Sequence, residues 1–245
     1  MDSFSFSSLL ACDTYASSQD CNADFDIRAE STTSLDADQA KGSGNDVSIE
    51  IIESAKPVNS PVRLSAIVTL AAGGELHPGN YSNGFEILVI SGDLISKTEN
   101  NIHTVETEQY LRIPFGQQAT FTSAGGCILL TKLGQMSDTD HEPRHISTDD
   151  DNLWLPGPAD GTEVLPLHLH DTKSVLLIRW KEPAYFKPQL DPMGEEMFVV
   201  KGTLHDAYGS YQRGSWIRNP IPAWQGWGGH PDTLVYYKNG HFPKP

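Results

Sequence analysis

The sequence predicts an all-β protein that carries two copies of one β unit. Three observations lead there. No long segment keeps the apolar period of a helix. Short β-branched or aromatic runs, bounded by Gly, Pro or Asn, recur along the chain instead. Two of those runs also align with each other at a separation of 110 residues.

The strand-like runs fall at 64–70, 86–90, 127–132, 175–180, 197–200 and 233–237. The repeat is anchored by NGFEILVISGDL (83–94) and MGEEMFVVKGTL (193–204), in which Gly84, Glu86, Val89, Gly92 and Leu94 match Gly194, Glu196, Val199, Gly202 and Leu204. Further on, LRIPFG (111–116) matches IRNPIP (217–222) and CILLTK (127–132) matches TLVYYK (233–238), both at an offset of 106. The four-residue change falls near 97–107, between strands, where a loop absorbs an insertion at small cost.

Two segments lack this character. Residues 1–46 are rich in Ser, Asp, Ala and Thr, with few large apolar side chains to offset the entropy of ordering, and predict a flexible arm. Residues 137–152, SDTDHEPRHISTDDDN, read as a linker. The expected organisation is an arm over 1–46, a first domain over 47–136, the linker, and a second domain over 153–245.

The formal charge of −15 argues against nucleic acid and anionic membranes as partners, because phosphates repel such a surface. No apolar run approaches the roughly 18 residues of a membrane span. The first residues lack the basic n-region of a secretory signal. Cys12, Cys21 and Cys127 are an odd number without CxxC spacing, which suggests reduced thiols and a cytoplasmic setting.

Each copy resembles the cupin domain, and the second resembles the cupin-like domain of ChrR-type anti-sigma factors. The resemblance rests on Glu195, followed by six residues and Gly202, and on DAYGSYQRGSWIRNP (206–220). Family members carry G-x5-H-x-H-x3-4-E-x6-G and P-x-G-x2-H motifs. The resemblance implies two tandem jelly-roll barrels, each with room inside for one metal or one small ligand. It also places the four metal-ligand positions. In the second copy they hold Gln189, Asp191, Glu195 and Gln225, and in the first Gly79, Tyr81, Phe85 and Ala119. The first set predicts a degenerate, metal-free barrel. The second is an all-oxygen set, suited to a hard divalent cation rather than an imidazole-loving metal. The zinc domain of the ChrR-type regulators is not expected, because no His precedes His77.

Two further features invite a function. His168 and His170 share a strand face, as a metal pair or as an ordinary polar face. Trp216, Trp224, Trp227 and His230 surround the fourth ligand position and suit either a pocket or a packed core. The reading is a small-molecule-binding bicupin with a degenerate metal site in its second barrel, acting alone or as a homodimer. The rivals are a metal-dependent dioxygenase of the bicupin type and a structural or partner-binding module; whether the chain is an enzyme stays open.

Overall fold

The computed structural model describes residues 41–42, 47–55, 63–77, 84–187, 189–191, 194–219 and 223–241; at 41–42, 51, 53–55, 63, 189–191 and 223–225 it describes the backbone alone. Of the arm expected over 1–46, residues 1–40 and 43–46 lie outside the described residues, as do Gly79 and Tyr81. The chain separates into two compact units, one within Ala29–Asp149 and one within Asp150–Pro245.

The first unit contains β1 (Lys41–Gly42), β2 (Val47–Ala55), β3 (Arg63–Leu70), β4 (Gly74–His77), β5 (Phe85–Gly92), β6 (Leu94–Thr98), β7 (Ile102–Val105), β8 (Tyr110–Ile113), β9 (Ala119–Ser123), β10 (Cys127–Leu133) and β11 (Arg144–Ile146). They form two antiparallel sheets, in the orders β1-β4-β9-β6-β7 and β11-β8-β5-β10-β3-β2. Alternation sets the layering. Leu64, Ala66, Val68 and Leu70 of β3 join Phe85, Ile87, Leu129 and Phe121 in the apolar interior. The expected arm boundary shifts slightly, because Lys41–Gly42 already pairs with β4.

The other face of the larger sheet is buried too, and it is polar. It carries Ser65, Glu86, Arg112 and Lys132. Tyr110 Oη donates to Glu86 Oε1 at 3.0 Å, and Lys132 Nζ donates to Ser65 Oγ at 3.1 Å. Arg112 donates to Asp140 Oδ2 at 2.6 Å and to the Glu142 carbonyl at 2.5 Å. The stretch expected as a linker is therefore structured over its first part: it carries β11, paired with β8, and the buried Asp140. Its composition suggested a loop because it has no apolar run. What orders it is a charge pair, which no hydrophobic pattern reveals.

The second unit contains β12 (Leu155–Pro156), β13 (Thr162–His170), β14 (Lys173–Trp180), β15 (Ala184–Tyr185), β16 (Gln189–Asp191), β17 (Glu195–Lys201), β18 (Thr203–His205), β19 (Ser210–Gln212), β20 (Trp216–Asn219), β21 (Ala223–Gln225), β22 (Gly228–Gly229) and β23 (Leu234–Asn239). Its main sheet runs β12-β13-β14-β23-β17-β20, faced by β15-β22-β18-β19 and by the ribbon β16-β21. Val164, Leu176, Ile178, Met197, Val235 and Tyr237 lie in its core.

The internal repeat is written into the strand register. β5 pairs with β10, and β17 with β23, with one bulge each. Ile90 is skipped in the first pair and Val200 in the second, so both bulges sit at the same place in the repeat. Glu86 faces Lys132 and Arg112 across its two neighbouring strands, and Glu196 faces Lys238 and Arg218 in the same way. Gly92 and Gly202 close the matched strands with φ of +81° and +74°, a region that favours glycine. A Cβ at either would meet backbone of the adjoining turn, at Gly126 and Thr233. The architecture is all-β, with two tandem jelly-roll barrels.

Candidate functional site

Glu195 opens β17, and its side chain lies inside the second barrel with 8% exposure. A carboxylate buried to that degree must be hydrogen-bonded, since an unsatisfied one costs several kcal/mol. Two donors meet its Oε1: Asn219 Nδ2 at 3.1 Å and the indole Nε1 of Trp227 at 3.0 Å. Asn219 comes from the neighbouring β20, directly opposite Glu195 in the ladder. Trp227 lies just before β22, and its carbonyl accepts from Phe186 N–H at 2.6 Å, which fixes the loop that carries the ring. The Tyr211 ring packs 6.3 Å from the indole.

The same three positions in the first barrel carry no polar group. By the repeat offset, Glu195 corresponds to Phe85, Asn219 to Ile113 and Trp227 to Phe121. Phe85 and Phe121 meet edge to face at 5.7 Å, and all three residues are buried in the apolar core. One barrel frame thus presents an oriented carboxylate in one copy and an aromatic pair in the other. Ala119, the fourth position expected in the first barrel, is also in that core.

Of the other expected positions in the second barrel, the backbone of Gln189 faces that of Gln225 across the β16-β21 ribbon, and Asp191 faces Ala223. Trp224 sits opposite Leu190 in the same ribbon. The two glutamines are thus paired positions in the backbone ladder of the ribbon. Trp227 is buried in the core and serves as a hydrogen-bond donor. His230 is exposed, with its ring 5.5 Å from His205. His205 in turn lies 6.4 Å from Tyr185. His168 is buried and its ring is parallel to that of His170 at 6.4 Å, after a bulge in β13. Among the described residues, no three His, Cys, Asp or Glu side chains gather as a metal site.

Sequence reasoning missed Asn219 and His205. Asn219 stood in the aligned stretch IRNPIP opposite Ile113. An apolar-to-amide change at an aligned core position was the signal that could have found it.

Comparison with known proteins agrees with this architecture. Residues 142–243 match the family model of the ChrR cupin-like domain. The cupin 2 conserved barrel domain protein from Leptotrichia buccalis superposes with a TM-score of 0.58 at 11% identity, covering 80% of this chain and 89% of that one. Residues 142–243 thus carry a ChrR-type cupin-like domain, and the chain as a whole has the fold of cupin barrel proteins. The chain is also similar in fold to a putative glyoxylate-induced protein from Pseudomonas aeruginosa (TM-score 0.60, 15% identity, 82% of each chain). It shares the fold of a salicylate 1,2-dioxygenase from Pseudaminobacter salicylatoxidans as well (TM-score 0.54, 10% identity, 74% of this chain and 71% of that one). No curated protein matches the chain by sequence. Among its described residues, no helix is long and apolar enough to cross a membrane.

The histidine-bound metal that the superfamily implies does not fit these residues. The four positions expected as ligands hold two amides and two carboxylates in the sequence, and Glu195 Oε1 is already engaged by Asn219 and Trp227. Late transition metals bind such a set poorly, whereas hard cations accept it.

Proposed function

We propose that the second barrel of this cupin binds a small molecule through the Glu195 carboxylate, either directly or through a hard divalent cation. The observation that carries this reading is the pair of hydrogen bonds from Asn219 and Trp227 to a buried carboxylate. Those donors fix the carboxylate in a single orientation. A preset acceptor of this kind favours a ligand with an N–H or O–H donor, an ammonium group, or a cation that carries the ligand's oxygens. The ring of Trp227 supplies an apolar wall beside it, the usual makeup of a small-molecule site. The aligned Phe85 supports a division of labour in which the first barrel holds no metal.

An oxygenase is the competing reading. It draws on the fold of the salicylate dioxygenase, which at 10% identity speaks for the fold alone. The four oxygen-donor positions weigh against iron.

The test is thermal denaturation of the wild type and Glu195→Gln. The additives are Ca2+, Mg2+ and Mn2+, then a panel of small amines and polyols. A ligand present at about ten times its Kd should raise wild-type stability by about 1.4 kcal/mol, or roughly 2–4 °C. Glu195→Gln should show no such rise. Equal responses of the two proteins to every additive would sink the proposal.

A further inference from the structure

We infer that the interior of the first barrel is a second, separate ligand site, which takes a small apolar molecule bearing one hydroxyl or carbonyl oxygen, with Thr131 as its anchor. This inference does not depend on the reading of Glu195, which concerns the other barrel.

The first barrel encloses a cavity of about 50 Å³. Its walls are apolar, formed by Leu64, Val68, Phe85, Ile87 and Leu129 among others. Among the described residues of that lining, Thr131 carries the one polar side chain. The cavity exists because two side chains are small. Thr131 faces Ala66 across the β3–β10 ladder. The equivalent pair in the second barrel is Tyr237 facing Leu176, both buried in its core. The large pair fills the second interior, and the small pair leaves the first one open.

Thr131 supplies the second observation. It is only 4% exposed, and its Oγ1 makes no hydrogen bond among the described residues. Valine has nearly the same shape and high β propensity, so packing and strand formation give no reason for a hydroxyl here. Buried hydroxyls normally find a partner. An unsatisfied hydroxyl on a residue that lines an apolar cavity therefore points to a partner brought in by a ligand. Ile49, on β2, is 38% exposed and lines the same cavity, so the cavity reaches the surface at that residue.

The chemistry of the walls narrows the ligand class. No charged side chain is among the described residues that line the cavity, and an ion there would lose its hydration without compensation from them. A single hydroxyl satisfies one oxygen and not several, which excludes sugars and polyols. The volume is below that of cavities known to enclose an aromatic ring. The occupant is thus a short-chain alcohol or ketone, or a longer molecule that reaches out past Ile49.

2-Propanol is a suitable probe, with propane as its counterpart lacking the hydroxyl. Methyl NMR spectra of the full chain would be followed through both titrations. Saturable shifts are expected at Ile87, Leu129 and Leu133 methyls with 2-propanol. A roughly tenfold weaker affinity for 2-propanol is expected in Thr131→Val, equivalent to about 1.4 kcal/mol, with propane binding undiminished. Ala66→Leu should abolish the shifts for both probes by filling the cavity. Should Ala66→Leu fail to fold, the Thr131→Val comparison decides alone. Absence of saturable shifts in the wild type, shifts confined to the second barrel, or equal 2-propanol affinity in wild type and Thr131→Val would each overturn the inference.

Discussion

Glu195, Asn219 and Trp227 form a unit in which each member gives the others their purpose. Removing the indole N–H by Trp227→Phe keeps most of the apolar packing but takes one donor from the carboxylate. The expected cost is about 1–3 kcal/mol, read from the urea midpoint. The double variant Trp227→Phe with Glu195→Gln should lose less than the sum of the two single losses, because the group left without its donor is gone; strict additivity would show that the two side chains do not act as a pair. His145 makes a second residue-scale prediction. Burial, and then the neighbouring His103 with its ring at 5.0 Å, hold the His145 imidazole below its ordinary value. The folded state therefore favours the neutral ring. The unfolded ring titrates near about 6.5, so this contribution is intact above that pH and is lost as pH falls from there through the lower folded value. Urea midpoints should decline as pH falls below about 6.5, and His145→Gln should flatten that decline. An unchanged slope in the variant would assign the effect elsewhere.

At the scale of elements, the segment from Ser137 to Ile146 holds to the outer face of the first barrel through Arg112. The Arg112 guanidinium is almost wholly buried and bonds to Asp140 at 2.6 Å. Replacing only the acid leaves a buried cation short of its partner, so Asp140→Asn should cost about 2–4 kcal/mol. Hydrogen exchange would show β11 opening ahead of the barrel; a loss of protection spread evenly over all strands would contradict that order. Elements also show what the sequence could reveal. The long runs 64–70, 86–90 and 127–132 were readable as strands, and the observed strands extend them by a residue or two. β15 and β22 were not readable: each is a two-residue pair without periodicity. The same holds for the buried Asp140, whose role depends on an arginine 28 residues away. Polar contacts at long range leave no period to read.

For the whole molecule, the repeat has preserved a frame while its two interiors diverged. The bulges at Ile90 and Val200 and the rows around Glu86 and Glu196 are the same in both copies. The inward positions are not: Phe85 against Glu195, Ile113 against Asn219, Phe121 against Trp227 and Thr131 against Tyr237. The frame was legible in advance because glycines, charges and strand runs recur in one order. The chemistry was only half legible. The four expected ligand positions pointed to Glu195, but its donors came from outside that set. Removal of residues 1–40 is expected to shift the melting temperature by no more than a few degrees, since that segment lacks core-forming residues; a large loss would show that it packs on the folded part. The central claim is that the second barrel is an oxygen-donor binding site rather than a transition-metal centre. Elemental analysis of protein purified without added metal, dialysed against a chelator, tests it most directly. The account predicts iron, nickel, copper and zinc far below one equivalent, with any Ca2+, Mg2+ or Mn2+ removed by the chelator. One equivalent of iron or nickel retained through dialysis would contradict it.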